Sequence, residues 1–222
     1  MSSALLVAAA LDAGTILALA SLGLLINEKA GILNLGAEGM MLCSALAGFA
    51  AVVHTGSSVM GFGAGMLVGA AMAALFGWLV IWLGTNQYAT GLALSLFGAG
   101  LSAFAGTSYV KEKLPEAVQY KIPLLGDLPF VGEAFFSQHP MVYIAMCITA
   151  GMMWFFFKTR SGLVLRSVGE SPQSAHALGY NVRLIRLGAV MAGGALCGLA
   201  GAYVSTVYTP LWVEGMTAGK GW

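Results

Sequence analysis

Asn27-Glu28-Lys29-Ala30-Gly31-Ile32-Leu33-Asn34-Leu35-Gly36-Ala37-Glu38-Gly39-Met40-Met41 is a short polar turn set between two long apolar runs. Upstream, residues 4–25 carry one charge, Asp12; downstream, residues 33–53 carry only Glu38. A helix needs about 20 apolar residues to cross the hydrocarbon core of a bilayer, because each residue rises roughly 1.5 Å. Both runs meet that length. Neither alternates with period two, so helices are expected and not strands. Within the quoted stretch Asn34 is a candidate helix cap and Glu38 falls in the first helical turn, where unpaired backbone N–H groups and the helix dipole favour a carboxylate. An intramembrane carboxylate costs about 2.5–3.5 kcal/mol at mid-helix on insertion scales, so a partner for Glu38 is expected. A brace for the helix and a gate or ion relay are both open readings. Gly36 and Gly39 flank Glu38 and leave room for another backbone against it.

The same pattern extends along the chain. Six spans are expected, at approximately 4–25, 33–53, 59–83, 87–106, 140–157 and 187–208. The fold class is therefore an all-α, polytopic transmembrane helical bundle. Composition agrees: 59% of the 222 residues are hydrophobic and 9% charged, against roughly 25% charged in soluble domains. Such a chain cannot cover a water-facing surface, so membrane lipid is its expected surroundings. A net charge of +1 gives no basic field for nucleic acid. Met1 to Ala20 has no Lys or Arg ahead of its apolar run, so a retained span is expected there and not a secretory leader.

Charge in the two longer polar stretches sets an orientation. Residues 158–186 hold Lys158, Arg160, Arg166, Arg183 and Arg186 against Glu170. Residues 107–139 hold Lys111, Lys113 and Lys121 against Glu112, Glu116, Asp127 and Glu133. Lys and Arg accumulate on the cytoplasmic side. The stretch 158–186 is expected inside and 107–139 outside, which puts residues 27–29 inside and Met1 outside.

Small residues recur every fourth position in three spans: Gly61, Gly65, Gly69, Ala73 and Gly77; Gly91, Ser95, Ala99 and Ala103; Gly194, Gly198 and Ala202. In lipid such stripes let backbones approach and drive association. Cys43, Cys147 and Cys197 are odd in number and unclustered, which fits packing residues and neither a disulfide framework nor a metal site. His54, His139 and His176 have no ligand spacing, and no metal is expected. Asp12 is expected at an interface or paired. No phosphate-binding loop, His-Glu-x-x-His or Gly-x-Ser-x-Gly is present, so the chain is read as no enzyme and as needing no cofactor of its own.

In the basic stretch, Ser171 followed by Pro172 reads as a helix start and Gly179 as its stop. The short helix carries Ala175 and Ala177. It can rest on lipid headgroups, or it can dock into a groove on a partner. Near the fourth span Asn86, Gln87, Tyr88, Thr90 and Ser95 are candidates for a polar solute path. Capping and interhelical hydrogen bonding are the competing roles.

Glu28-Lys29-Ala-Gly31-Ile-Leu-Asn34-Leu-Gly36-Ala-Glu38-Gly39-Met-Met resembles the signature of ABC-transporter permeases of the branched-chain amino acid and ribose type. It looks closest to the branch that imports nucleosides with a lipoprotein receptor of the basic membrane protein type. Asn86 to Leu94 is similar to the family's opening of the fourth span. Ile122 to Pro129 resembles its extracytoplasmic loop, and Thr159-Arg160-Ser161-Gly162-Leu163 through Gly179 its cytoplasmic loop. Glu214 to Trp222 resembles a segment that leads into further helices, so the chain is expected to be C-terminally truncated relative to that family. The resemblance implies a single permease domain over 1–222 in the cytoplasmic membrane, importing nucleosides, or else a ribose-like sugar or a branched-chain amino acid. It implies a cytosolic ABC ATPase that uses the ATP, a second permease subunit and an extracytoplasmic solute-binding lipoprotein. It makes Gly169, Glu170, Ser171, Pro172, Ala175, Ala177 and Gly179 a coupling helix on the ATPase. The rival reading is an ion-coupled secondary transporter, which has no use for such a helix.

Overall fold

The computed structural model describes residues 3–115 and 137–221. The charges at Glu116, Lys121, Asp127 and Glu133, and the expected loop at 122–129, lie outside them. Eight α-helices are described: α1 (Ser3–Lys29), α2 (Ala37–Thr55), α3 (Ser58–Ile81), α4 (Gln87–Gly106), α5 (Pro140–Lys158), α6 (Arg160–Glu170), α7 (Pro172–Ala177) and α8 (Val182–Tyr203). A 3-10 turn, Thr107–Tyr109, extends α4, and a π turn, Val204–Tyr208, extends α8. Six of these helices are long and apolar enough to cross a membrane. The all-α polytopic class expected from the sequence is what the chain adopts.

The second span begins later than hydropathy suggests. Ile32, Leu33 and Leu35 are apolar, yet α2 starts at Ala37. Asn34 is the reason. Its Oδ1 accepts the Gly36 N–H at 2.9 Å, which closes a side-chain turn and holds residues 32–36 out of the helix. Asn34 therefore caps a turn ahead of α2, and Gly36 is the residue at the helix start, without a side-chain cap. The non-helical segment is pinned to α4, where Ser95 Oγ donates to the Leu35 carbonyl at 2.8 Å.

The centre of the bundle is the α3–α8 crossing, with α2 and α1 against α8 on either side and α4 against α2. Where Gly69 meets Gly194 and Gly65 meets Gly198, no side chain separates the backbones. A Cβ at Gly69 would overlap the Gly194 carbonyl oxygen, and one at Gly198 would overlap that of Gly65. The small-residue stripes of α3 and α8 thus face each other. On α4 the face is displaced from the expected one. Gly91, Ser95, Gly98, Ser102 and Gly106 are buried, while Ala99 and Ala103 are half-buried. At 3.6 residues per turn, a strict four-residue repeat drifts around the helix, and the contact line steps back by one residue to stay on α2. Gly98 sits directly over the Gly39 backbone.

The buried core joins Ile16, Leu19, Met40, Met41, Phe76, Val190 and Tyr203. Cys43 and Cys197 are packed within it, whereas Cys147 faces outward. Asp12 is paired: it accepts the Tyr203 hydroxyl at 2.9 Å.

The two ends of the bundle differ. At one end lie the α1–α2 turn, the start of α4 and the basic stretch, tied together by Leu33 N–H on Gln87 Oε1 (2.7 Å) and Arg186 on Ala30. At the other end His54 meets the Tyr109 hydroxyl at 3.0 Å, and His139 Nδ1 caps α5 by accepting the Met141 N–H. Beyond α8 the chain pairs briefly with residues 113–114 at that second end, through Leu211 with Lys113 and the Leu114 N–H on the Pro210 carbonyl. It then folds back into the bundle, as Trp212 fills the space beside Gly106 and Gly221 reaches Glu38.

Candidate functional site

The basic end gathers most of the residues singled out in the sequence. α5 ends at Lys158, and Thr159 turns the chain with an extended backbone. Its hydroxyl accepts the Gly162 N–H at 3.0 Å and so starts α6. α6 is amphipathic, with Gly162, Leu165 and Val168 buried, and packs against α1, α5 and α8 at the basic end. Its last turn is fastened to α1. A Cβ at Gly169 would overlap the Lys29 carbonyl oxygen. Gly31, at φ +77°, faces the Gly169 backbone and the Arg186 guanidinium, so it needs both its left-handed conformation and its missing side chain. Arg186 completes the joint. Its Nε donates to the Ala30 carbonyl at 3.1 Å and its Nη2 to the Val168 carbonyl at 3.4 Å. A cation thus serves the carbonyl ends of two helices at once. In the sequence Arg186 counted only toward orientation; its role depends on contacts 156 and 18 residues away.

α7 follows at Pro172. Ser171 stands at the expected N-terminal position, but its hydroxyl donates to Ser174 Oγ at 2.7 Å and not to the backbone as a cap. Its backbone, at φ −142° and ψ 83°, aims the side chain away from the first-turn N–H groups. Gly179, at φ +87°, reverses the chain after α7, with its N–H on the His176 carbonyl. Ala175 is turned inward at 1% exposure; Leu178, at 77%, stands outward together with Ala177 and Glu170.

Behind α7 lies a cavity of about 820 Å³, lined by Gln87, Gln173, His176, Tyr180, Arg183 and Arg186 among others. Gln87 also lines a second cavity of about 540 Å³ with Glu28, Gly31, Asn86 and Tyr88. The candidate path residues divide accordingly. Asn86 Oδ1 caps α4 by accepting the Tyr88 and Ala89 N–H groups. Thr90 Oγ1 donates to Thr85 Oγ1, and Ser95 is buried on Leu35. Gln87 borders both cavities, and its amide nitrogen remains after its oxygen has accepted Leu33.

Glu38 lies deeper, at 8% exposure. Its Oε1 accepts the Thr217 hydroxyl at 2.5 Å and the Gly219 N–H at 2.9 Å, and its Oε2 accepts the Gly221 N–H at 2.6 Å. Three donors from one returning segment satisfy the carboxylate, which braces that segment more than its own helix. Asn27, Gly36 and Gly39 of the same stretch serve close packing. Asn27 lies against Gly193, Gly36 against Leu94, and Gly39 against the Leu94 and Ser95 backbone.

Residues 6–222 match the family described as branched-chain amino acid transport system / permease component. The chain belongs to this family. The resemblance carried by the Glu28–Met41 stretch therefore holds across nearly all of this permease-family chain, a multi-pass membrane protein with six candidate spans among the described residues. It is 43% identical over 219 residues to a putative glucose ABC transporter permease of Haloferax volcanii, covering 96% of this chain and 66% of that protein. It is 32% identical over 231 residues to a nucleoside ABC transporter permease of Lactococcus lactis, covering 98% and 72%. It is 33% identical over 204 residues to a guanosine ABC transporter permease of Bacillus subtilis, covering 86% and 64%. The chain thus spans about two thirds of the length of these relatives. The relatives are transport permeases, and no catalytic family is indicated. No solved structure gives a significant match.

Proposed function

We propose that the chain is a permease subunit of an ATP-binding cassette importer in the cytoplasmic membrane, moving a nucleoside inward. The observation that carries the reading is the α6–α7 elbow. It stands on the basic end, is braced through Gly169, Gly31 and Arg186 onto α1 and α8, and presents Leu178 outward. A rigid elbow with an exposed apolar tip suits docking into a groove on a cytosolic ATPase, which would hydrolyse the ATP. The positive charge of 158–186 supports a cytoplasmic location for this end. A second permease subunit and an external solute-binding lipoprotein complete the assembly that the family membership supports. Residues 169–172, Ala177 and Gly179 are the coupling surface in this reading; Ala175 supports it from within. Gln87 is the side chain best placed to meet a solute at the inner mouth.

Gly179→Glu tests the docking role. No neighbour lies within 4 Å of a Cβ at this position, so the spans are undisturbed. The left-handed backbone costs a non-glycine residue about 1–2 kcal/mol, and the carboxylate enters a basic surface. The expected result is loss of ATPase co-purification with normal membrane insertion. Undiminished co-purification would remove the elbow from the interface.

The identity to the putative glucose permease favours a second cargo, glucose or a similar sugar. Uptake of labelled guanosine and labelled glucose into cells carrying the whole transporter separates the two. Nucleoside uptake that stops on ATP depletion is expected. Glucose uptake alone would select the sugar, and uptake that instead follows an ion gradient would replace the importer reading with an ion-coupled one.

A further inference from the structure

A third recess opens at the basic end and shares Tyr180 with the cavity behind α7. It holds about 550 Å³ and lies between α1, α5, α6 and α8. Its walls are Ile26, Met152, Phe155, Leu165, Ile185 and Ala189. These side chains offer a guest only dispersion and apolar burial. The mouth differs in kind. Arg160 and Ser161 line it with Tyr180, two and three residues beyond Lys158, where the last charged residue of a span marks the membrane–water boundary. Arg160 and Ser161 are exposed, and among the described residues neither side chain has a hydrogen-bond or ion-pair partner. They also open α6, where Thr159 already holds the Gly162 N–H and the Arg160 and Ser161 N–H groups have no acceptor within the helix. The volume falls in the range of small-molecule sites.

An apolar cleft between spans with a cation and donors at its interfacial rim is complementary to one kind of molecule. That molecule has an anionic head at the boundary and a hydrocarbon tail directed inward. We propose that this recess binds a single anionic glycerophospholipid, its phosphate on Arg160 and Ser161 and an acyl chain along Phe155, Ile185 and Ala189. The lipid would fill the angle between α5 and the elbow. The site is independent of any transported solute, so its test does not depend on uptake.

The experiment uses the protein solubilised with equal amounts of phosphatidylglycerol and phosphatidylcholine, washed in lipid-free detergent, and analysed for retained lipid. Phosphatidylglycerol is expected to stay in excess over phosphatidylcholine. Arg160→Gln should lower its retention about fivefold, the share of one basic residue near an anionic headgroup. Gly188→Phe should abolish retention by filling the recess. Gly188 lines the recess, and a Cβ there meets nothing within 4 Å, so the variant keeps the bundle's thermal stability. Inorganic phosphate at matched concentration should not displace the lipid. Equal retention of the two lipids, retention unchanged in both variants, or displacement by inorganic phosphate would each overturn the proposal.

Discussion

Gly198→Leu is expected to leave the bundle unable to close. The residue has the Gly65 carbonyl oxygen where a Cβ would stand, with the Gly69 backbone beside it. Both neighbours are main chain and cannot change rotamer. Overpacking a core usually costs about 1–3 kcal/mol, and a site enclosed by backbone belongs at or above the top of that range. The loss is compounded in lipid, where helix association depends on close approach because hydrocarbon offers no hydrophobic drive between helices. Little folded protein should survive detergent extraction, and Gly198→Ala should already lower the melting temperature. Gly63→Leu is the matched control. It lies on the outer face of α3 with nothing within 4 Å of its Cβ, and should change stability by no more than about 0.5 kcal/mol. Equal behaviour of the two leucine variants would mean that the α3–α8 seam is not closed as described.

Glu38→Ala should release residues 213–221 from the interior. The substitution strands the Thr217 hydroxyl and the Gly219 and Gly221 N–H groups. A buried donor left unsatisfied costs about 1–3 kcal/mol, so three make about 3–9 kcal/mol before relaxation. Escape of the segment toward water lowers that figure and is itself the readout: new protease cleavage after Lys220, with a lower melting temperature. Glu38→Gln should fall between. Its single carbonyl oxygen can serve one side of the segment, while its amide N–H₂ meets a backbone N–H donor. Unchanged cleavage in Glu38→Ala would show that the carboxylate does not hold this segment.

The spans were legible because lipid imposes length and apolarity on every crossing helix, so Ser58–Ile81 and Gln87–Gly106 lie close to their expected limits. The α2 start was not, since hydropathy cannot distinguish non-helical Ile32 and Leu35 from helical ones; the distinction lies in the Asn34 side chain closing on Gly36. Glu38 announced that it needed a partner but not which one. The donors lie 179 to 183 residues away, beyond the reach of any local pattern. The ends of α7 were legible from Ser171-Pro172 and Gly179, because proline and a left-handed glycine act locally. Its inward and outward faces were not, as Ala175 and Ala177 differ only in what the rest of the chain places beside them. The glycines of α3 and α8 were readable as a stripe; that they meet each other follows from the tertiary crossing alone.

The joint between Gly31 and Gly169 has a mechanical consequence. Soft couplings in proteins arise where side chains intervene, because a rotamer can swing and take up a displacement. Here main chain rests on main chain, and a guanidinium ties both helix ends across the gap. The linkage therefore has almost no play. A sideways force on the tip at Leu178 would be delivered to the foot of the first helix with little lost on the way.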